Sequence, residues 1–283
     1  MDKYNLQELQ EHLLNLLTDI DKAFQENGLT YYLAYGTMLG AVRHGGFIPW
    51  DDDIDIAMPR PDYERLIQHA QEYLPSHLEF KCAETDSDYP FAFGKIQDNR
   101  TTLIERPYYP YLGGIYCDIF PIDGIPAGTL RRKIHFLHYY IYYRLLYIIC
   151  KDPYKHGHGP SCWLPLLCRR IYSLRYVQQK IRKILLKYDY ESCPEVRHFY
   201  GYDIEILPKR IFSKPCRIKF GGKFLNAVCQ QDEYLKTLFG EDYMTIPPQE
   251  KRHRHLFHFL DLATPYSKAG ILGKGLRTKN GQQ

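Results

Sequence analysis

Apolar residues recur at helical spacing from Leu6 through Leu9, Leu13, Leu17 and Ile20 to Phe24, with Gly28 beyond them as a stop. Such a stripe predicts a packing helix over 6–26. Residues 31–43 then read as a short strand, a Gly36-Thr37 break and a short apolar helix. Gly45 and Gly46 make a turn, and 47–50 leads back into an acidic run. In Asp53-Ile54-Asp55-Ile56 the period changes to two. Residues two apart on a strand point the same way, so Ile54 and Ile56 enter a core while Asp53 and Asp55 stand together on the opposite face. Residues 59–74 read as a helix with Tyr63, Leu66, Ile67 and Ala70 inward. Residues 91–96 and 101–105 read as a hairpin turning at Asp98-Asn99-Arg100, and 115–120 alternates as a strand with Tyr116, Asp118 and Phe120 on one face. Residues 232–239 read as a short helix and 240–248 as an ordered loop. Residues 267–283, rich in Gly and Lys, read as a mobile tail.

Two carboxylates side by side repel unless something cationic neutralises them. A hard divalent ion such as Mg²⁺ takes carboxylate oxygens and keeps positions open for water and phosphate. Taken alone, 51–55 equally fits a solvated acidic turn or a calcium loop. The upstream segment favours the catalytic reading. Helix N-termini bind anions, Gly36 permits close approach and Thr37 adds a hydroxyl, so backbone N–H groups there can hold a nucleotide phosphate opposite the metal.

The run from Tyr35-Gly36-Thr37-Met38-Leu39-Gly40 through Pro49-Trp50-Asp51-Asp52-Asp53-Ile54-Asp55-Ile56 to Pro59 resembles the signature of the LicD phosphotransferases, which are related to the fukutin-related proteins. Further similarity lies at Phe93-Gly94-Lys95-Ile96-Gln97-Asp98, at Cys117-Asp118-Ile119-Phe120-Pro121, and from Tyr234-Leu235-Lys236 to Lys251-Arg252. It is weakest over 130–203. The family continues after Lys251-Arg252 into paired histidines; here His255 is followed by Leu256, and His255 is given no role.

The resemblance implies an α/β fold, a nucleotidyltransferase-like mixed β-sheet flanked by helices with a helical C-terminal lobe. It implies Mg²⁺-dependent transfer, with Mn²⁺ as the alternative ion, of a substituted phosphate such as phosphocholine. The donor is CDP-linked and the acceptor is a hydroxyl of a cell-surface glycan, lipid-linked or free. Asp53 and Asp55 would hold metal, and Gly36 and Thr37 donor phosphate. Metal-assisted phosphoryl and nucleotidyl transfer commonly draws three carboxylates from neighbouring strands. Asp118 is therefore the third ligand or the base, unless it only caps the turn at 121–124. Lys95 and Arg43 are the phosphate cations, since transferred charge is stabilised by positioned positive groups. Arg43 also fits a helix end in solvent, and His44 either a substrate contact or a structural histidine. One rival is a nucleotidyltransferase moving NMP from an NTP to a sugar. Another is a non-catalytic glycan-assembly scaffold, from which loss of the metal carboxylates is expected.

At 283 residues with 45% hydrophobic composition the chain suits one enzyme-sized unit. We expect a catalytic domain over 1–127, a closely packed aromatic and basic substrate lobe over 128–266, and the tail. A net charge of +4 does not indicate nucleic-acid binding. Eight cysteines without a close Cys-x-x-Cys pair argue against a common structural zinc site and are expected as free thiols, and no signal peptide is visible, so a cytoplasmic setting is expected. Residues 131–150 hold Tyr139, Tyr140, Tyr142, Tyr143 and Tyr147 behind Arg131-Arg132-Lys133. The segment is too short and polar to span a bilayer. It fits an amphipathic helix pair in the second lobe, or peripheral contact at the inner membrane face through the tyrosines.

Overall fold

The computed structural model describes residues 4–106, 111–155, 157–199, 205–252, 254–255 and 257–267. The tail expected to be mobile lies, from 268 onward, outside the described residues. Helix α1 (Leu6–Glu26) starts where the Asn5 side chain accepts hydrogen bonds from the N–H groups of Gln7 and Glu8, and it buries Leu9, Leu13, Leu17, Ile20 and Phe24. Strand β1 (Tyr32–Leu33) runs into α2 (Tyr35–His44), which ends at left-handed Gly45. The acidic strand β2 (Asp55–Pro59) leads into α3 (Arg60–Tyr73), where Pro61 suits the first turn. There follow β3 (Leu78–Lys81), β4 (Gly94–Asp98), β5 (Thr102–Ile104) and the long β6 (Tyr116–Gly124).

The chain then turns helical, with α4 (Thr129–Cys150), α5 (Trp163–Ile171) and α6 (Leu174–Leu185). It returns through β7 (Glu195–His198), β8 (Leu207–Pro208), the hairpin β9 (Cys216–Phe220) and β10 (Lys223–Ala227), α7 (Gln231–Phe239) and β11 (Phe259–Asp261).

The fold is α/β around a mixed sheet. Its order is β1-β2-β6-β4-β3, and β7 pairs with the far end of β6 and with β8. Among the described residues only β2 and β6 pair in parallel; their neighbours are antiparallel. The main core packs α1, the sheet and α7 together, and includes Phe212, Phe220, Leu225 and Tyr234 from the last third of the chain. A smaller cluster joins Phe136, Tyr139, Leu146 and Ile149 of α4 to Val177, Ile181 and Leu185 of α6. Among the described residues no helix is long and apolar enough to cross a membrane.

Two expectations are corrected. Strand β5 does not pair with β4: both edges of β4 are taken, by β3 and β6, and β5 instead pairs with β11. The tight turn that diverts it holds the Thr101 hydroxyl on the Asp98 carbonyl, and a Cβ on Gly114 would lie 1.9 Å from that same oxygen. Cys216 and Cys229 are bonded and not free, because the β9–β10 hairpin brings Cys216 opposite Ala227 and sets the two Cα atoms 5.2 Å apart. The tyrosines of α4 mostly face inward: Tyr139 is fully buried, and Tyr140, Tyr142 and Tyr143 pack partly buried against the smaller cluster.

Two buried histidines set an acid limit. His198 lies among the rings of Tyr35, Phe212 and Tyr234, and burial, reinforced by Arg197, pushes it down to about 3. Burial, with Lys187 next, pushes His135 down to about 4. An unfolded histidine titrates near about 6.5. Below that pH the unfolded chain binds more protons than the folded one, so the stability present above it is lost as pH falls toward these values. The urea midpoint is expected to drop steadily between neutral pH and pH about 4.5, and His198→Phe to flatten the slope; an equal slope in the variant would remove His198 from the account.

Candidate active site

Asp55 of β2 stands opposite Asp118 of β6, and Asp118 stands opposite Lys95 of β4. Register partners point to the same face, so three adjacent strands carry carboxylate, carboxylate and ammonium in a row. Lys95 is 1% exposed. Its Nζ lies 2.7 Å from Glu105 Oε1 and 3.2 Å from Asp118 Oδ1, and 4.6 Å from the centre of the Phe91 ring. Burial alone would lower its proton affinity; Asp118 and Glu105 outweigh that and hold it above the usual lysine value. Asp118 Oδ1 is buried without a well-aligned hydrogen bond, although Lys95 is near.

The acidic loop before β2 is fastened at several points. Gln10 of α1 donates to the Asp51 carbonyl at 2.8 Å. Asp52 is buried and accepts from Tyr4 Oη at 2.6 Å and from the His255 backbone N–H at 3.0 Å, with His255 Nδ1 2.9 Å away. His255 Nδ1 also lies 3.7 Å from Asp53 Oδ2. The hydrogen bond to Asp52, with the charges of both aspartates, raises His255 to about 9. The Thr37 hydroxyl accepts from the Asp55 N–H at 2.9 Å, which ties α2 to the start of β2. Gly36 backs directly on Asp51, since a Cβ there would stand 3.0 Å from Asp51 Oδ2. Tyr35, just before it, takes φ +43, and its ring stacks edge-on against Phe120 and His198. A bulky residue with that φ is strained and marks a turn fixed by its surroundings.

These carboxylates hold one another's protons. Burial and then Asp53 and Asp52 push Asp51 up to about 8. Burial, with Asp53, Asp118 and Asp51 adding, raises Asp55 well above the carboxylate range. Asp53 is raised by burial and relieved in part by His255. Asp118 rises to about 7 through burial, opposed by Lys95 and helped by Glu105. An array of hard oxygen donors whose charges need a counter-ion suits a divalent cation. Among the described residues, Asp52, Asp53 and His255 form a group whose ligand atoms lie within 4.8 Å of one another.

The site thus brings together Asp53, Asp55, Asp118 and Lys95, with Gly36 and Thr37 alongside. Arg43 and His44 lie at the opposite end of α2. Arg43 Nη1 donates to the Tyr243 and Thr245 carbonyls at 3.0 and 3.3 Å, and its Nε to His44 Nε2 at 3.0 Å. Glu105 and His255 are the members the sequence reading passed over. Glu105 carries no local signal, since it reaches Lys95 only after β5 leaves β4. His255 had one, the single histidine left where the resemblance expects two.

Residues 28–140 match the family model LicD/FKTN/FKRP, nucleotidyltransferase domain. Over 266 residues, 90% of this chain and 97% of the relative, the sequence is 27% identical to the lipopolysaccharide cholinephosphotransferase LicD of Haemophilus influenzae. These matches make the chain similar to the LicD phosphotransferases. An uncharacterized protein of Rickettsia typhi is 38% identical over 145 residues, 43% of this chain and 45% of that one. Mannosyltransferase regulator 4 of Saccharomyces cerevisiae is 32% identical over 68 residues, 24% of this chain and 6% of the yeast protein. The metal-capable carboxylates Asp52 and Asp53 lie inside the matched span and His255 outside it.

Removing Lys95 leaves Asp118 facing Asp55 without its cation. Lys95→Met is expected to cost about 3–5 kcal/mol of folding stability in EDTA by urea denaturation. Lys95→Met with Asp118→Asn should recover more than half of that loss. Additive losses would show that the pair is not energetically coupled.

Proposed function

We propose that this protein is a LicD-type transferase that moves phosphocholine, or a similar substituted phosphate, from a CDP-activated donor to a hydroxyl of a surface glycan. The observation that carries this reading is the row Asp55, Asp118 and Lys95 beside Asp51 and Asp53. The likeness to a lipopolysaccharide cholinephosphotransferase along almost the whole of that relative supports the choice of group and acceptor class.

A bound Mg²⁺ or Mn²⁺ supplies Lewis-acid neutralisation of the donor phosphates. Asp53 and Asp55 are its proposed ligands, with Asp118 completing the set or acting as base. The N-terminus of α2 has no side-chain cap, and its backbone N–H groups are the proposed holders of donor phosphate. The acceptor hydroxyl attacks the phosphorus that carries choline. The bond from that phosphorus to its bridging oxygen breaks, CMP leaves, and the hydroxyl proton passes to Asp118. A carboxylate raised to about 7 is matched to that task near neutral pH. Lys95 keeps Asp118 oriented and partly ionised before attack. Residues 128–266 form the proposed substrate lobe. Transfer of NMP from an NTP uses the same strand and loop; the scaffold reading loses ground because Asp53, Asp55 and Asp118 are all present.

With labelled CDP-choline and a glycan acceptor, CMP should be released in a reaction that EDTA stops and Mg²⁺ restores. Pyrophosphate from NTPs would instead support nucleotidyl transfer. Asp53→Asn and Asp55→Asn should each lower turnover by more than roughly a hundredfold while the thermal transition persists, because the ion carries several kcal/mol of charge stabilisation. Near-normal rates in both variants would sink the site.

Asp118→Asn separates its two roles. Loss of Mg²⁺ affinity together with rate marks a ligand. Retained affinity with a reduced rate and a flattened acidic limb of the pH profile marks the base.

A further inference from the structure

Helix α4 is apolar on two sides, and the protein covers one of them. His135, Phe136, Tyr139, Leu146 and Ile149 face the smaller core. Leu130, Ile134, Leu137 and Ile141, spaced at four, three and four residues along the opposite side, are 72%, 46%, 57% and 52% exposed. A helix hydrophobic all round ordinarily lies within a core or against lipid. Helix α5 repeats the arrangement in a shorter form. Its buried residue is Pro165, and Arg169 binds it down through the Ile149 and Lys151 carbonyls at 2.8 and 2.9 Å. Trp163, Leu164, Leu167 and Ile171 form its outer stripe, each more than half exposed. Scattered surface leucines need no explanation, whereas contiguous ridges on two neighbouring helices do.

Charge selects the occupant. From residue 129 to 188 the sequence holds 13 Lys and Arg against one acidic residue, Asp152. Arg131, Lys133, Arg170, Arg175, Lys183 and Lys187 among them are exposed. A second copy of the chain would bring the same positive face against itself, since a two-fold contact repeats one patch on both sides. Nucleic acid would satisfy the cations and leave the aliphatic ridges in water. Aliphatic ridges with a terminal tryptophan and flanking arginines are the composition of helices that lie in the plane of a bilayer whose headgroups are anionic.

We propose that the outer faces of α4 and α5 dock this transferase peripherally on an anionic lipid surface. The contact runs through the aliphatic residues of α4 and through α5. This differs from contact through the α4 tyrosines, most of which face the core. It does not depend on the reaction proposed above, and its test reads no activity.

Flotation of the full chain with phosphatidylcholine vesicles, with and without phosphatidylglycerol, tests the proposal. Binding is expected only with phosphatidylglycerol and should weaken as salt rises. Leu164→Glu with Leu167→Glu should lower partitioning at least about tenfold, as should Arg170→Glu with Arg175→Glu, with unchanged circular dichroism. The charge variant keeps the test decisive if the first pair misfolds. Absence of wild-type binding at low salt, or undiminished binding in the folded variants, would overturn the proposal. So would light scattering showing a wild-type dimer that the Leu164/Leu167 variant dissolves, since the face would then be a contact between copies.

Discussion

Asp55 and Asp118 meet across the parallel pair β2 and β6 in a poorly solvated place, and the need to balance those like charges organises much of the structure. Lys95 enters from the third strand, and Glu105 is drawn in behind it. The aromatic wall of Phe91 and Tyr116 lies against the ammonium, where a ring face serves a cation better than an aliphatic side chain does. The acidic loop is restrained from outside by Gln10, Tyr4 and His255, which come from opposite ends of the chain. Such a site is held ready for a cation by its frame, and this has a cost in stability of the kind that functional sites carry.

The helical lobe is joined to this frame by charge as well as by packing. Arg60 of α3 makes a two-pronged pair with Asp123 at the far end of β6, at 2.6 and 2.7 Å. Arg182 of α6 reaches Glu64 of α3 and Glu84. Bidentate arginine pairs fix direction as well as distance. Arg60 with Asp123 thus ties α3 to the sheet, and Arg182 ties α6, with α4 packed on it, to α3.

Local pattern revealed what local physics determines. The α1 stripe gave its ends, because Asn5 caps one and Gly28 lies past the other, whereas the alternation at Asp53 to Ile56 held only from Asp55, where β2 begins, and Asp53 sits in the loop before it. Asp118 was placed beside Asp55 through alternation and resemblance together. What local pattern did not carry was pairing between distant segments. Residues 101–105 look like the second arm of a hairpin because nothing nearby shows that both edges of β4 are already taken. Cys216 and Cys229 look unrelated until the hairpin between them is seen. The α4 tyrosines suggest a wet interface, yet most of them sit against the smaller core while leucines and isoleucines point outward. Composition counts tyrosine and leucine without registering direction.

His255 and β11 have a consequence for the order of events during synthesis. Chains fold broadly from the N-terminal side as they emerge, and the parallel pairing of β2 with β6 already demands a long loop closed early. Asp52 nevertheless receives its clasp only when residue 255 is available, and β5 acquires its partner only with residues 259–261. A growing chain can thus possess Asp53, Asp55 and Asp118, with Tyr4 and Gln10 already holding the acidic loop, and still lack its clasp from His255. The His255 clasp on Asp52 and the partner strand of β5 both come from the last part of the described chain.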